Sequence, residues 1–149
     1  MLVHLDAFTA STASQPIFRT GFMPLAVRLL ARPDERERAA TLLDIDERAG
    51  GSSRRLRLSY DTGRAAFVET SDDPSVALDM HADISLAWGA YGFPLEASLS
   101  RVGAARCLVK LGRIGEARER LAAARPTLEA LGAMPYLEDL EAVQRNAAA

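Results

Sequence analysis

The chain has 149 residues, 48% hydrophobic and 26% charged, enough for one compact domain or short solenoid burying roughly 70% of its unfolded surface, and not the composition of a disordered segment. Eighteen basic and 20 acidic residues give a net charge of −2, which offers no electrostatic basis for nucleic acid or an anionic membrane as partner. Cys107 is the single cysteine, so an intramolecular disulfide and an all-cysteine zinc site are excluded.

Residues 1–20 read as a loose arm or linker, since 7–16 are small and polar without helical or strand periodicity. Met1–Asp6 lacks the basic start and apolar run of a signal peptide. No segment reaches the ~18 apolar residues of a membrane span. These features, with the lone cysteine, make a cytoplasmic location the expectation. Residues 21–149 read as the folded domain. Lys110 is the only lysine and alanine is abundant, a bias that suggests a GC-rich bacterial genome.

From Phe22 the residues Leu25, Ala26, Leu29 and Leu30 recur at helical spacing until Pro33. Asp34 with Glu37 forms an acidic capping box for a helix carrying Ala39, Leu42, Leu43 and Ile45, stopped at Gly50-Gly51. Ser52 or Ser53 starts a third helix with Leu56, Tyr60, Gly63 and Phe67 on one face. Asp73 caps and Pro74 opens a fourth, with Ala77, Met80, Ile84, Trp88 and Tyr91 inward and Gly92 at its end. Pro94 opens a fifth, with Leu95, Leu99, Val102, Ala105 and Leu108, ended by Gly112. The sixth carries Ala117, Leu121, Ala124, Leu128 and Leu131 before Gly132, with Pro126 inside it, where it costs about 3 kcal/mol or more unless the helix kinks. Pro135 starts a last helix with Leu137, Leu140 and Val143. No segment alternates as a strand would, so the prediction is all-α, about seven helices.

Gly63 and Gly103, Ala77 and Ala117, and Gly92 and Gly132 each stand 40 residues apart, and such a period marks stacked supersecondary units. The best-supported repeats are 52–92 and 93–132, closed by a capping helix over 134–147 whose Glu138, Asp139, Glu141 and Gln144 form a polar outer face. Ile84, Trp88 and Tyr91 fall in register with Ala124, Leu128 and Leu131, and Cys107 with Phe67.

The run Gly112-Arg113-Ile114-Gly115-Glu116-Ala117, followed by Leu121 and Ala124, resembles the core of a tetratricopeptide (TPR) repeat. The longer pattern Tyr91-Gly92-Phe93-Pro94-Leu95-Glu96, Cys107–Arg113 and Leu128–Ala133 resembles the C-terminal repeats of bacterial signalling ATPases fused to adenylate or guanylate cyclase domains or to LuxR-type DNA-binding domains. The likeness covers residues 63–145. Ala65 and Ala105 stand where that pattern favours glycine. The resemblance implies antiparallel helical hairpins stacked as a short right-handed superhelix. It also implies a non-catalytic module for protein–protein or interdomain interaction in a signalling or transcription-regulatory protein. The alternative is a small-molecule effector-sensing domain of a LuxR-type regulator.

Asp44, Asp46 and Glu47 lack the calcium-loop pattern and read as a solvated helix face. Gly50-Gly51-Ser52-Ser53 before Arg54 and Arg55 reads as a turn with a cap rather than an anion site. His81, Trp88 and Cys107 read as packed residues rather than a catalytic or ligand-binding set, and no cofactor or metal is expected. The outward positions of each hairpin's first helix, Ser59, Thr62, Glu69, Arg101 and Arg106, are the candidate partner-binding face. Arginine there suits an acidic peptide or carboxylate of a protein partner or neighbouring domain.

Overall fold

The computed structural model describes residues 22, 24–28, 30, 35–49, 53–70 and 73–148, with the backbone alone over 45–49. The expected arm at 1–20, the Asp34 cap, the side chains of Asp46 and Glu47, and the Gly50-Gly51-Ser52 turn lie outside these residues. Among the described residues the chain is all-helical, without a strand. A helical segment at 24–28 is followed by α1 (Arg36–Ala49), α2 (Arg54–Val68), α3 (Pro74–Tyr91), α4 (Pro94–Lys110), α5 (Ile114–Ala130) and α6 (Met134–Asn146). No helix of the described residues is long and apolar enough to cross a membrane. The chain divides into two compact units, residues 1–70 and 71–149.

In the first unit α1 packs on α2. Ala26, Val27, Leu30, Ala39, Leu42, Leu43 and Ala66 form a buried cluster with Tyr60 and Phe67 at its edge. The inner face here is therefore Ala26 and Val27 of the 24–28 segment with Leu30 just beyond it, while Phe22 and Leu25, expected to point inward, are exposed. Arg36 closes the other side, its guanidinium 4.3 Å from the Phe67 ring centroid, a cation–π approach, and it donates to the Thr70 hydroxyl.

In the second unit three turns repeat the same geometry. Gly92, Gly112 and Gly132 have φ of 84°, 71° and 59°, and each follows the last turn of a helix. The glycine N–H bonds to the carbonyl three residues back (Gly89, Val109, Glu129), and the next N–H to the carbonyl five back (Trp88, Leu108, Leu128). This is the Schellman arrangement, which needs a left-handed residue and satisfies carbonyls left open at the helix end. The glycines fall 20 residues apart, so each α-helix with its turn occupies one 20-residue period, and the 40-residue period of the sequence is one hairpin.

Starts are as regular. Asp73 accepts from the Ser75 N–H at 2.9 Å before Pro74 opens α3; Pro94 opens α4 and Pro135 the first turn of α6. Within the unit α4 lies against α3, α5 and α6 and is buried along Ala97, Ser98, Ser100, Val102–Ala105, Cys107 and Leu108. By contrast, α5 buries only Ala117, Leu121, Ala124 and Leu128, a single stripe laid on the layer that α4 centres. Leu131, expected to complete that stripe, and its counterpart Tyr91 are 53% and 39% exposed. Leu131 lies just beyond the end of α5, where the chain turns away, and Tyr91 ends α3 with its ring stacked on Phe93 at 5.4 Å.

Gly112→Ala tests the turn geometry. A Cβ there meets no atom within 4 Å, so the effect is conformational: about 1–2 kcal/mol of lost stability for a non-glycine residue in the left-handed region. Gly115→Ala, in the first turn of α5 and equally open, is expected to stabilise by up to about 1 kcal/mol. Urea unfolding of the pair should show opposite signs; equal signs would contradict the assignment of the turn.

The Ser75 hydroxyl and N–H hold the Asp73 carboxyl below the ordinary aspartate value. A folded-state pKa below the unfolded one contributes stability present above the unfolded value and lost as pH falls through the folded one. Denaturation midpoints measured down the acid limb should therefore fall less steeply with decreasing pH in Asp73→Ala than in the native chain, and parallel limbs would contradict the cap's role.

Candidate functional site

Ser59, Thr62 and Glu69 do not lie on an open face: they are 6%, 3% and 8% exposed. The side of α2 that packs is made of small residues, Ser59, Thr62, Gly63 and Ala66 at i, i+3, i+4 and i+7, one helix face. Thr62 turns its hydroxyl back to the Leu58 carbonyl at 2.6 Å, so its oxygen is satisfied within its own helix. Leu56, Tyr60 and Phe67, placed inward by hydrophobic spacing, are only half-buried. Small residues make up most of the packed side of α2, with Leu58 the one large apolar side chain buried among them, and the run of small residues was the signal for it.

Arg101 and Arg106 are half-buried on α4. Arg106 is engaged: its Nη1 donates to Asp139 Oδ2 at 2.8 Å, tying α4 to α6. A pair this accessible is worth little stability, about 0–1 kcal/mol, but it fixes where the guanidinium sits. Arg125 makes a second tie to the terminal helix, with Nη2 donating to Gln144 Oε1 at 2.9 Å and Nη1 to Glu129 Oε1 at 3.2 Å. The polar face expected for α6 is therefore partly a bonding face: Glu138 is exposed, whereas Asp139, Glu141 and Gln144 hold arginines of neighbouring helices, Glu141 at 3.8 Å from Arg125.

Sequence reasoning missed one open face. Val76, Asp79, Asp83 and Leu86 are all exposed along one side of α3, Leu86 at 73%. Leu86 reads as core by residue type alone, and the stronger spacing signal of α3 lies in its inward residues.

His81 and Trp88 are 0% and 2% exposed. Trp88 packs against Phe93 and Tyr91, with ring centroids 5.4 and 6.3 Å away. A Cβ built on Gly103 would fall 2.5 Å from His81 Cε1, so the imidazole already fills the space beside α4. Ser85 Oγ donates to the Ala97 carbonyl at 3.2 Å across the same pair of helices. The site residues thus divide: His81, Trp88 and Ser85 hold α3 to α4, Arg106 holds α4 to α6, and Arg101, Leu86 and the acidic pair of α3 face outward to differing degrees.

No protein-family model, no curated protein and no solved structure matches the chain.

Proposed function

We propose that the chain is a non-catalytic, TPR-like helical-repeat module that binds another protein or a neighbouring domain in a bacterial signalling or transcription-regulatory system. The observation that carries this reading is the trio of identical turns at Gly92, Gly112 and Gly132. Three equal turns at equal spacing generate antiparallel helices of equal length, and such units stack into extended surfaces used for binding. The tetratricopeptide resemblance over residues 63–145 agrees with this. Within the second unit the partner-binding face centres on Arg101, the predicted arginine not committed to the Asp139 pair. A carboxylate-bearing segment is the chemistry it suits.

The test is capture by the purified chain from a lysate of the source organism, with Arg101→Glu and Leu86→Glu side by side. Loss of the captured protein in Arg101→Glu and its retention in Leu86→Glu supports the reading. Retention in Arg101→Glu with loss in Leu86→Glu moves the binding face to α3, and retention in both contradicts a surface on this unit.

A further inference from the structure

The second unit places an imidazole and a thiol side by side in its most enclosed layer. His81 on α3 and Cys107 on α4 are each 0% exposed, and a ring nitrogen of His81 lies within 4.8 Å of the Cys107 sulfur. Gly103, one turn before Cys107 on the same side of α4, makes the room: an added Cβ would meet His81 Cε1, Nε2 and Nδ1 at 2.5, 2.6 and 2.8 Å. The ring therefore lies against the α4 backbone, with the sulfur one turn further along.

The repeat shows that packing does not demand an imidazole. Forty residues on, the position of His81 is held by Leu121, also 0% exposed. Hydrocarbon fills this place where only a core is needed. Replacing it with groups that titrate and hydrogen-bond takes polar atoms out of water, a cost that plain packing does not return.

Imidazole nitrogen and thiolate sulfur are the donors that thiophilic transition metals select over hard cations. A metal–sulfur bond of ~2.3 Å and a metal–nitrogen bond of ~2.0–2.1 Å bring two donors to within roughly 4.4 Å or less of each other, which the observed spacing reaches with a small side-chain adjustment.

We propose that His81 and Cys107 form a binding site for a thiophilic d10 cation, either Zn2+ or Cu(I). On binding, the Cys107 S–H bond breaks and its proton leaves to solvent as the sulfur–metal bond forms, while neutral His81 donates a ring lone pair; nothing is oxidised or reduced. Cu(I) is satisfied by the two donors, whereas Zn2+ takes further ligands to complete four. Because both side chains are enclosed, the ion enters as α3 and α4 part or while the chain folds, and binding is coupled to stability.

The purified full chain, reduced and chelator-treated under anaerobic conditions, is refolded and mixed with a coloured zinc-chelator complex in one arm and a coloured Cu(I)-chelator complex in the other. The native chain is expected to withdraw one equivalent from at least one of them, the arm identifying the ion, and its melting temperature rises with that ion. Loss of a supporting hydrogen bond alone weakens metal sites roughly 10–100-fold, so His81→Leu and Cys107→Ala, each losing a donor atom, should bind weaker by at least that factor and show no rise in melting temperature. His81→Leu installs the residue of the equivalent position, and circular dichroism confirms that it is helical. Cys107→Ala is the independent second variant. Withdrawal from neither complex by the native chain overturns the proposal, as does undiminished withdrawal by both variants.

Discussion

Trp88→Ala is expected to lower stability by about 3–5 kcal/mol, the range for truncating a buried aromatic side chain. The indole is 2% exposed, faces Tyr91 edge-on with an interplanar angle of 78°, and has Phe93 tilted against it at 53°. It also sits at the end of α3, where its own carbonyl accepts the Phe93 N–H that closes the Gly92 turn. The substitution therefore empties a volume and loosens the ring that pins the turn together. Against a typical total of about 5–15 kcal/mol, a loss of this size removes a large share, and equilibrium urea denaturation reads it directly. A loss under about 1 kcal/mol would mean that the indole is not core.

The second large effect has the opposite sign. Pro126 lies within α5, yet the helix runs unbroken from Ile114 to Ala130 and the proline is exposed. Both Pro126 and Ala122, whose carbonyl has no N–H to accept from four residues on, lie on the exposed side, where water can serve the carbonyl. The intrinsic penalty remains, about 3 kcal/mol relative to alanine, offset by the roughly 0.4–1 kcal/mol with which proline restricts the unfolded chain. Pro126→Ala should then stabilise by about 2 kcal/mol, seen as a higher urea midpoint at unchanged m-value. No change, or a loss, would show that the pyrrolidine makes a native contact.

Much of the second unit was legible because its signals are local. Asp73-Pro74, the glycines at 92, 112 and 132, and the spacing of Ala117, Leu121, Ala124 and Leu128 each act within a turn or two of their own position, and the helices begin, end and face as those residues dictate. What failed needed information from elsewhere in the chain. Ser59, Thr62 and Glu69 look like surface residues by type, but α2 packs on its small side. Arg106 looks like a free guanidinium until Asp139, 33 residues on, is brought to it. Leu86 looks like core and is not. The juxtaposition of His81 with Cys107 depends on the register of two helices across the Gly92 turn, which spacing along either helix does not reveal.

In the second unit α4 is the shared middle of two hairpins, with α3 and α5 packed on it and α6 against both α4 and α5. Native-state hydrogen exchange tests this most directly, since amides in the most enclosed element open only near the free energy of global unfolding. Amides of α4 between Val102 and Leu108 are expected to be the slowest of residues 73–148, those of α5 near Leu121 and Leu128 to follow, and those of α6 to exchange earlier through local opening. Exchange of the α4 amides as fast as those of α6 would contradict this arrangement.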